Sequence, residues 1–176
     1  MKRPAHLAHA AQQALTARAS ARFDADLAQA AQRDGVWQAT FDGSAVGGLG
    51  RMGAGGVLYA PSGAVHDISQ PLPGHGCNNE AEYRALMAVL QALQAQGAER
   101  VHIWGDSDLV IRQLRGEQRD KAERLAAWRK EAMARAHTFT SLGATWVPRH
   151  RNARADALAA SARQDGNGSG LDFKCT

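Results

Sequence analysis

The stretch Cys77-Asn78-Asn79-Glu80-Ala81-Glu82-Tyr83-Arg84-Ala85-Leu86 decides how the chain is read. It opens a long apolar-periodic segment with two amides and two carboxylates in the first turn. Taken locally, Asn79 is a good N-cap, Glu82 three residues on completes a capping-box pair, and acids at a helix start complement the dipole. Helical spacing separates the two acids. Glu80 heads the row Arg84, Met87 and Gln91 and reads as a surface partner for Arg84 at i,i+4, whereas Glu82 heads Leu86, Val89 and Leu93, the core-facing row. An acid pointed at the core calls for a partner elsewhere in the chain.

Upstream, residues 36–42 alternate with a period of two and read as a strand ending at Asp42. A glycine-rich connection follows through Gly56 and reads as a flexible hairpin. It is no phosphate-binding loop, because no helix or Lys-Ser/Thr pair follows it. A second strand over about residues 56–60 turns at Pro61-Ser62-Gly63 and returns over 64–69. Pro71, Pro73, Gly74 and Gly76 then break the chain before the organising helix, which runs to about Gln96 and stops at Gly97.

Downstream, Val101-His102-Ile103-Trp104-Gly105-Asp106 is a short apolar strand, expected parallel to the first and buried on both faces. Ser107 can cap a helix that ends before Gly116. A polar connection leads to another helix with Leu125, Trp128 and Met133 on its apolar side. Residues 138–147 supply a last strand, Pro148 ends it, and Asn152 caps a final helix through about Ala162. The order βββαβααβα describes an α/β domain, a mixed sheet with helices on both faces. Residues 1–34 form an N-terminal helical extension with a thin apolar stripe, expected to pack weakly on the body, pair with another chain, or fray; a nucleic-acid-binding arm is the disfavoured reading, with Phe23 as its only aromatic and acids at Asp24, Asp26 and Asp34. The domain proper covers residues 35–163, and 164–176 read as a flexible tail.

Four acids converge in this scheme. Asp42 and Asp106 end two strands expected to lie side by side, and the carboxyl ends of parallel strands are where α/β sheets bind ligands. Glu82 points at the sheet, and Asp156 sits one turn into the last helix among short side chains that permit close packing. Unpaired carboxylates gathered at one site take up protons or bind cations, and all-oxygen ligands favour Mg²⁺ or Mn²⁺. Two such ions about 3.5–4 Å apart clamp the attacking and leaving oxygens in phosphodiester hydrolysis.

With these residues in this order, the chain resembles a type 1 ribonuclease H over roughly residues 37–162. The likeness is carried by Phe41-Asp42-Gly43-Ser44, Asn78-Asn79-x-x-Glu82, Asp106-Ser107 and Asn152-x-x-x-Asp156. The resemblance implies a five-stranded ribonuclease H-like sheet with its first three strands antiparallel. It implies that Asp42, Glu82, Asp106 and Asp156 hold two Mg²⁺ or Mn²⁺ ions. These activate a water that cuts the RNA strand of an RNA–DNA hybrid, leaving a 5′-phosphate and a 3′-hydroxyl. It also implies substrate contacts at Gly43, Ser44, Asn78, Asn79 and Ser107, along the wide minor groove where 2′-hydroxyls tell RNA from DNA.

There are departures from the family pattern. Position 108 is Asp where many relatives have Gln. The family's lysine- and tryptophan-rich handle is absent, leaving Arg112, Arg115, Arg119, Lys121 and Arg124 as substitutes. The loop before the fourth acid is short, Val147-Pro148-Arg149-His150-Arg151-Asn152. His150 matches by residue type a histidine that helps product or metal leave, and Arg149 or Arg151 is a candidate phosphate contact. The alternative to an enzyme is a binding module of the same fold that grips hybrid or RNA without turnover. Clustered acids speak against it, since a polyanion binder has no use for negative charge unless metals neutralise it.

Composition agrees with these expectations. A chain of 176 residues, 44% hydrophobic and 22% charged, suits one globular domain with a real core. A net charge of +4 and a pI near 9.5 allow a polyanionic partner. Two cysteines make neither a disulfide framework nor a zinc spacing, so a reducing cytoplasm is the expected compartment, and no apolar stretch suggests a leader or a membrane span. His66, His75 and His102 lack ligand spacing, and Trp37 and Trp104 are expected in the core.

Overall fold

The computed structural model describes residues 5–117 and 123–165. The expected flexible tail beyond 165, and the candidate basic residues Arg119 and Lys121, lie outside the described residues. Five strands form one sheet: β1 (Trp37–Ala45), β2 (Gly50–Tyr59), β3 (Val65–Gly76), β4 (Arg100–Gly105) and β5 (Ser141–Trp146), in the order β3-β2-β1-β4-β5. β1, β2 and β3 are antiparallel, and β4 runs parallel to both β1 and β5. The expected mixed ribonuclease H-like sheet is therefore the observed one.

Two helical layers cover it. α2 (Asn78–Ala95), α3 (Asp108–Leu114), a 3₁₀ turn (Glu123–Leu125) and α4 (Ala126–Ala136) share one core with Phe41, Leu58, Val101 and Ile103. On the other face, α5 (Ala153–Asp165) lies on β1, β2 and β3, with α1 (Ala5–Asp34) beside it. The buried hydroxyl of Tyr83 on α2 donates to Oε1 of Gln113 on α3. Among the described residues no helix is long and apolar enough to cross a membrane.

The glycine-rich segment is ordered differently from the expected flexible hairpin. β1 continues to Ala45 and β2 starts at Gly50, so that Gly43 faces Ala54 and Ser44 faces Gly53 across the ladder. The glycines are there because helices lie against the strand backbone. A Cβ on Gly43 would sit 2.1 Å from the carbonyl carbon of Ala81 on α2, and one on Gly55 would sit 2.2 Å from the carbonyl oxygen of Ala155 on α5. Composition alone reads such a run as loop, whereas close approach of a second backbone is the other use of strand glycine.

The expected break at Pro71–Gly76 is also strand. β3 is an edge strand, where proline is tolerated because an outward N–H needs no partner. The register jumps between Arg51↔His75 and Met52↔Leu72, which leaves Pro73 and Gly74 as the extra residues of a bulge.

The N-terminal helix follows the first of its three expected fates, packing on the body, and only its second half does so. Phe23, Leu27 and Ala31 are buried against Val57, Tyr59 and Val147, while residues 9–15 are exposed throughout. Phe23 meets Trp104 edge to face at 5.6 Å, and the Tyr59 hydroxyl donates to Asp24 at 2.6 Å. β4 is fully buried at Val101 and Ile103, but on its opposite face His102 and Trp104 are half-buried, Trp104 against this helix.

Candidate active site

Each of the four acids arrives on its own element. Asp42 lies in β1, two residues before Ser44 on the same pleat face; Ser44 accepts a hydrogen bond from Arg163 of α5, so this face looks towards α5. Glu82 is in the first turns of α2, on the opposite side of the sheet. Asp106 follows the last residue of β4, and Asp156 is in the first turn of α5. The parallel pairing of β1 with β4 carries Asp42 and Asp106 to the same edge.

Burial and mutual repulsion decide the chemistry of the inner pair. Asp42 is 5% exposed and Glu82 7%. Burial first, then the charges of Asp106 and Asp156, push the Asp42 carboxyl up to about 8. Glu82 is raised well above the usual carboxylate range by burial and by Asp42 and Asp106, against the backbone N–H of Gly43, which donates to its Oε2 at 3.3 Å. These interactions bring all four acids into one constellation.

The outer pair has polar partners. Asp156 accepts from Arg149 at 2.7 Å, and the same guanidinium lowers Asp42 and Glu82. Asp106 accepts from Nδ2 of Asn152 at 2.7 Å. The same Asn152 nitrogen donates to the Phe41 carbonyl at 2.9 Å, and Asn152 is 1% exposed with its Oδ1 unpartnered. Asn152 does stand at the start of α5, since the Asp156 N–H donates to its carbonyl at 3.1 Å. Its side chain, however, ties β1 to the acid after β4 instead of capping the helix. The sequence signal for it was its place four residues before an acid at a helix start, which is equally the signal of a cap.

The capping reading of the organising helix is corrected as well. Cys77, not Asn79, is the N-cap residue, and it makes no side-chain cap bond. Glu82 does not close a capping box because its carboxylate is turned to Gly43. Asn78 and Asn79 are left exposed in the first turn. Glu80 pairs with Arg84 at 3.2 Å at the expected i,i+4 spacing, but the pair is largely covered and not a surface pair, with 22% and 10% of the two side chains exposed; Arg84 also lies over the Trp128 ring at 4.8 Å.

Ser107 occupies the N-cap position of α3 without a side-chain cap bond, and Asp108 is turned outward to Arg112 at 2.9 Å. His150 is exposed and makes no hydrogen bond to any of the four acids; it lines a cleft against α1. Trp146 was not expected at the site. It is 47% exposed at the end of β5, and its indole N–H donates to the Asp106 carbonyl at 3.1 Å.

The donor set can be tested for a divalent cation. Four carboxylates supply oxygen only, which suits Mg²⁺ or Mn²⁺ over softer metals, and the raised inner pair is what crowded anions do without a countercharge. Among the described residues no three His, Cys, Asp or Glu side chains already stand as a metal-ligating group. Asp156 is held by Arg149 and Asp106 by Asn152 instead. The fit is therefore one of donor chemistry and charge, and loading such a site requires Asp156 to exchange its guanidinium for an ion.

Comparison with known proteins places this geometry. A family model described as reverse transcriptase-like matches residues 40–162, the span that carries all four acids. The chain is 37% identical over 133 residues to the ribonuclease HI of Halobacterium salinarum, covering 76% of this chain and 67% of that protein. The chain belongs to the type 1 ribonuclease H family. A second relative, the bifunctional protein Rv2228c of Mycobacterium tuberculosis, is 37% identical over 122 residues, and the match spans 34% of its length.

Solved ribonuclease H structures share the fold. The Halobacterium salinarum RNase H1 superposes with a TM-score of 0.69 at 36% identity, covering 74% of this chain and 98% of that one. LC11-RNase H1, solved in complex with an RNA/DNA hybrid, gives 0.68 at 30% identity over 75% of this chain and 99% of that one. The ribonuclease H reading of the sequence thus stands, and the chain is an enzyme of the nuclease class. The family match begins after α1, so that helix lies outside the matched span.

Proposed function

We propose that this ribonuclease H is an endonuclease that hydrolyses the RNA strand of RNA–DNA hybrids to 5′-phosphate and 3′-hydroxyl ends. Asp42, Glu82, Asp106 and Asp156 would hold two Mg²⁺ or Mn²⁺ ions. Such ions, when bound, supply an activated water and offset charge on the leaving oxygen. The observation that carries the reading is the buried Asp42–Glu82 pair, two carboxyls from a strand and a helix driven up by burial first and then by neighbouring acids, Asp106 for both, Asp156 for Asp42 and Asp42 for Glu82. Evolution rarely keeps such a pair for stability, because well-packed apolar groups of the same volume serve better.

The chain's own residues do the positioning. The Gly43 N–H holds Glu82, Asn152 holds Asp106 against the backbone of β1, and the Trp146 N–H fixes the peptide after β4. Gly43, Ser44, Asn78, Asn79 and Ser107 are the groove contacts of this reading, and Arg149 is a phosphate contact that releases Asp156 as it engages substrate. His150 is assigned to product or metal release, one residue beyond Arg149. The catalytic unit is residues 35–163, with residues 1–34 a helical extension. A cytoplasmic setting belongs to the same reading and accords with the free thiol of Cys77.

A 5′-labelled hybrid, double-stranded RNA and duplex DNA, each incubated with the purified protein and Mg²⁺ or Mn²⁺, test the proposal. The hybrid's RNA strand is cut, the ends carry 5′-phosphate, and Asp42→Asn or Asp106→Asn abolishes cutting. An intact hybrid with both metals would sink it.

A further inference from the structure

The strongest feature the domain chemistry leaves unused is the cleft where α1 meets the turn before α5. It measures about 390 Å³ and is lined by Ala19, Arg22, Phe23, Asp26, His150 and Arg151. Its walls are fixed. α1 is anchored by buried Phe23, Leu27 and Ala31, by the Tyr59–Asp24 hydrogen bond at 2.6 Å, and by the Ser20 hydroxyl donating to the Arg151 carbonyl at 3.4 Å. The opposing turn is held by Arg151 N–H on Pro148 and Asn152 N–H on Arg149.

The charge of this cleft has no internal use. The side chains of Arg22 and Arg151, both exposed, make no hydrogen bond or ion pair among the described residues, and neither does that of Arg18. Arg18 stands one helical turn before Arg22 in the same row, so it continues the wall of the cleft along α1. Between residues 9 and 23 the helix has no acid at all, and Asp26 is the one acid among the lining residues. The strip starts at the candidate catalytic acids: Arg149, which holds Asp156, is two residues before Arg151.

We propose that Arg18, Arg22 and Arg151 form a binding strip for the phosphate backbone of the duplex substrate, beyond the position that is cut. The inference rests on the hybrid-nuclease reading above for the identity of the duplex. The physical need is plain, since a centre made of four carboxylates repels a polyanion, and a flanking row of unpaired guanidiniums supplies the attraction and sets the register. A second copy of the chain is the poorer occupant, because a two-fold contact through this strip would set the same three arginines against themselves.

The test is binding of a fluorescent 20-base-pair RNA–DNA hybrid to the full chain in EDTA, which needs no cleavage. Wild type, Arg18→Ala/Arg22→Ala/Arg151→Ala and the corresponding triple Lys variant are titrated between 50 and 200 mM salt. Each phosphate contact contributes about 0.9 to the slope of log affinity against log salt. Three contacts amount to about 2.7, so over this fourfold range wild type loses about 40-fold more affinity than the Ala variant. The Lys variant keeps the wild-type slope, and thermal unfolding is unchanged in both because all three side chains are exposed. Equal slopes in wild type and Ala variant would overturn the strip, as would a wild-type dimer that the Ala variant abolishes without any change in slope. Failure of the cleavage assay would remove the hybrid-nuclease reading and leave this titration to decide the strip; equal slopes with cleavage intact would remove the strip alone.

Discussion

Replacing Asp42 by Asn stabilises the metal-free protein, and the gain grows with pH. Asp42 is 5% exposed, and its carboxyl stands at about 8 in the folded chain against 3.8 for the free side chain. Between those values the unfolded chain has released the proton and the folded chain still holds it, so the folded state binds more protons and stability falls as pH rises. The penalty reaches its full size once pH passes the folded value. The difference, 8 minus 3.8, at about 1.4 kcal/mol per unit gives an upper limit of about 6 kcal/mol. Of this, three units, about 4 kcal/mol, accumulate between pH 5 and pH 8. Water drawn in around the ionised carboxylate reduces it, and half would still move the melting temperature by about 4–8 °C. Asparagine carries no charge at any of these pH values and fills nearly the same volume. Thermal unfolding of wild type and Asp42→Asn in EDTA, at pH 5, 7 and 9, therefore shows a gap that widens from pH 5 to 8 and then levels. Saturating Mg²⁺ narrows the gap, because a cation favours the ionised carboxylate that the variant lacks. A gap that is constant with pH would refute the claim that this acid is buried among like charges.

Two further substitutions probe the supports of the site. Asn152→Ala removes both donor contacts at once, leaving the Phe41 carbonyl and Asp106 Oδ1 short of a partner; it costs about 1–3 kcal/mol in denaturant unfolding, and hybrid cleavage falls in kcat more than it rises in KM. Unchanged stability would mean water replaces the amide freely. Tyr59→Phe leaves Asp24 without its donor under α1, so amide exchange accelerates in residues 16–31 of that helix while the β1–β4 ladder keeps its protection. Uniform loss of protection across the sheet would show α1 to be part of the same cooperative unit.

The balance of charges explains why Arg149 matters more than its exposure suggests. Its side chain is 76% exposed, and an ion pair of that kind adds little to stability. Its effect is felt by the buried acids, since its positive charge lowers both Asp42 and Glu82. A cation on a short turn between β5 and α5 is thus placed to hold the site together when no other cation does. The unpaired arginines further along the same turn and on α1 extend that positive charge away from the acids.

Much of the architecture was legible along the chain, because periodicity and punctuation are local. The alternation through Phe41 and Asp42, the helical rows that set Glu82 inward and pair Glu80 with Arg84, and the stop at Gly97 each depend on neighbours within a turn or two. The four acids could be picked out for the same reason: Asp106 follows a strand, Glu82 and Asp156 sit near helix starts, and parallel order brings Asp42 of β1 beside Asp106.

What the chain by itself left open are properties of surfaces meeting at a distance. Gly43 and Gly55 look like loop residues until α2 and α5 are seen lying on the strand backbone, 2.1 and 2.2 Å from where a Cβ would stand. Cys77 rather than Asn79 starts α2 because the incoming edge strand runs on to Gly76, and a capping box at Glu82 is forfeited to a backbone N–H of β1. Asn152 is a cap by spacing and a brace between β1 and Asp106 by position. The apolar stripe of α1 is too thin to say where that helix belongs; Tyr59, Val57 and Trp104 on the far face of the sheet decide it. Local sequence determined which residues carry charge, form strands and start helices. Tertiary packing decided which carboxylates lose water and which arginines stay free for a partner, because desolvation depends on what covers a group and not on what precedes it.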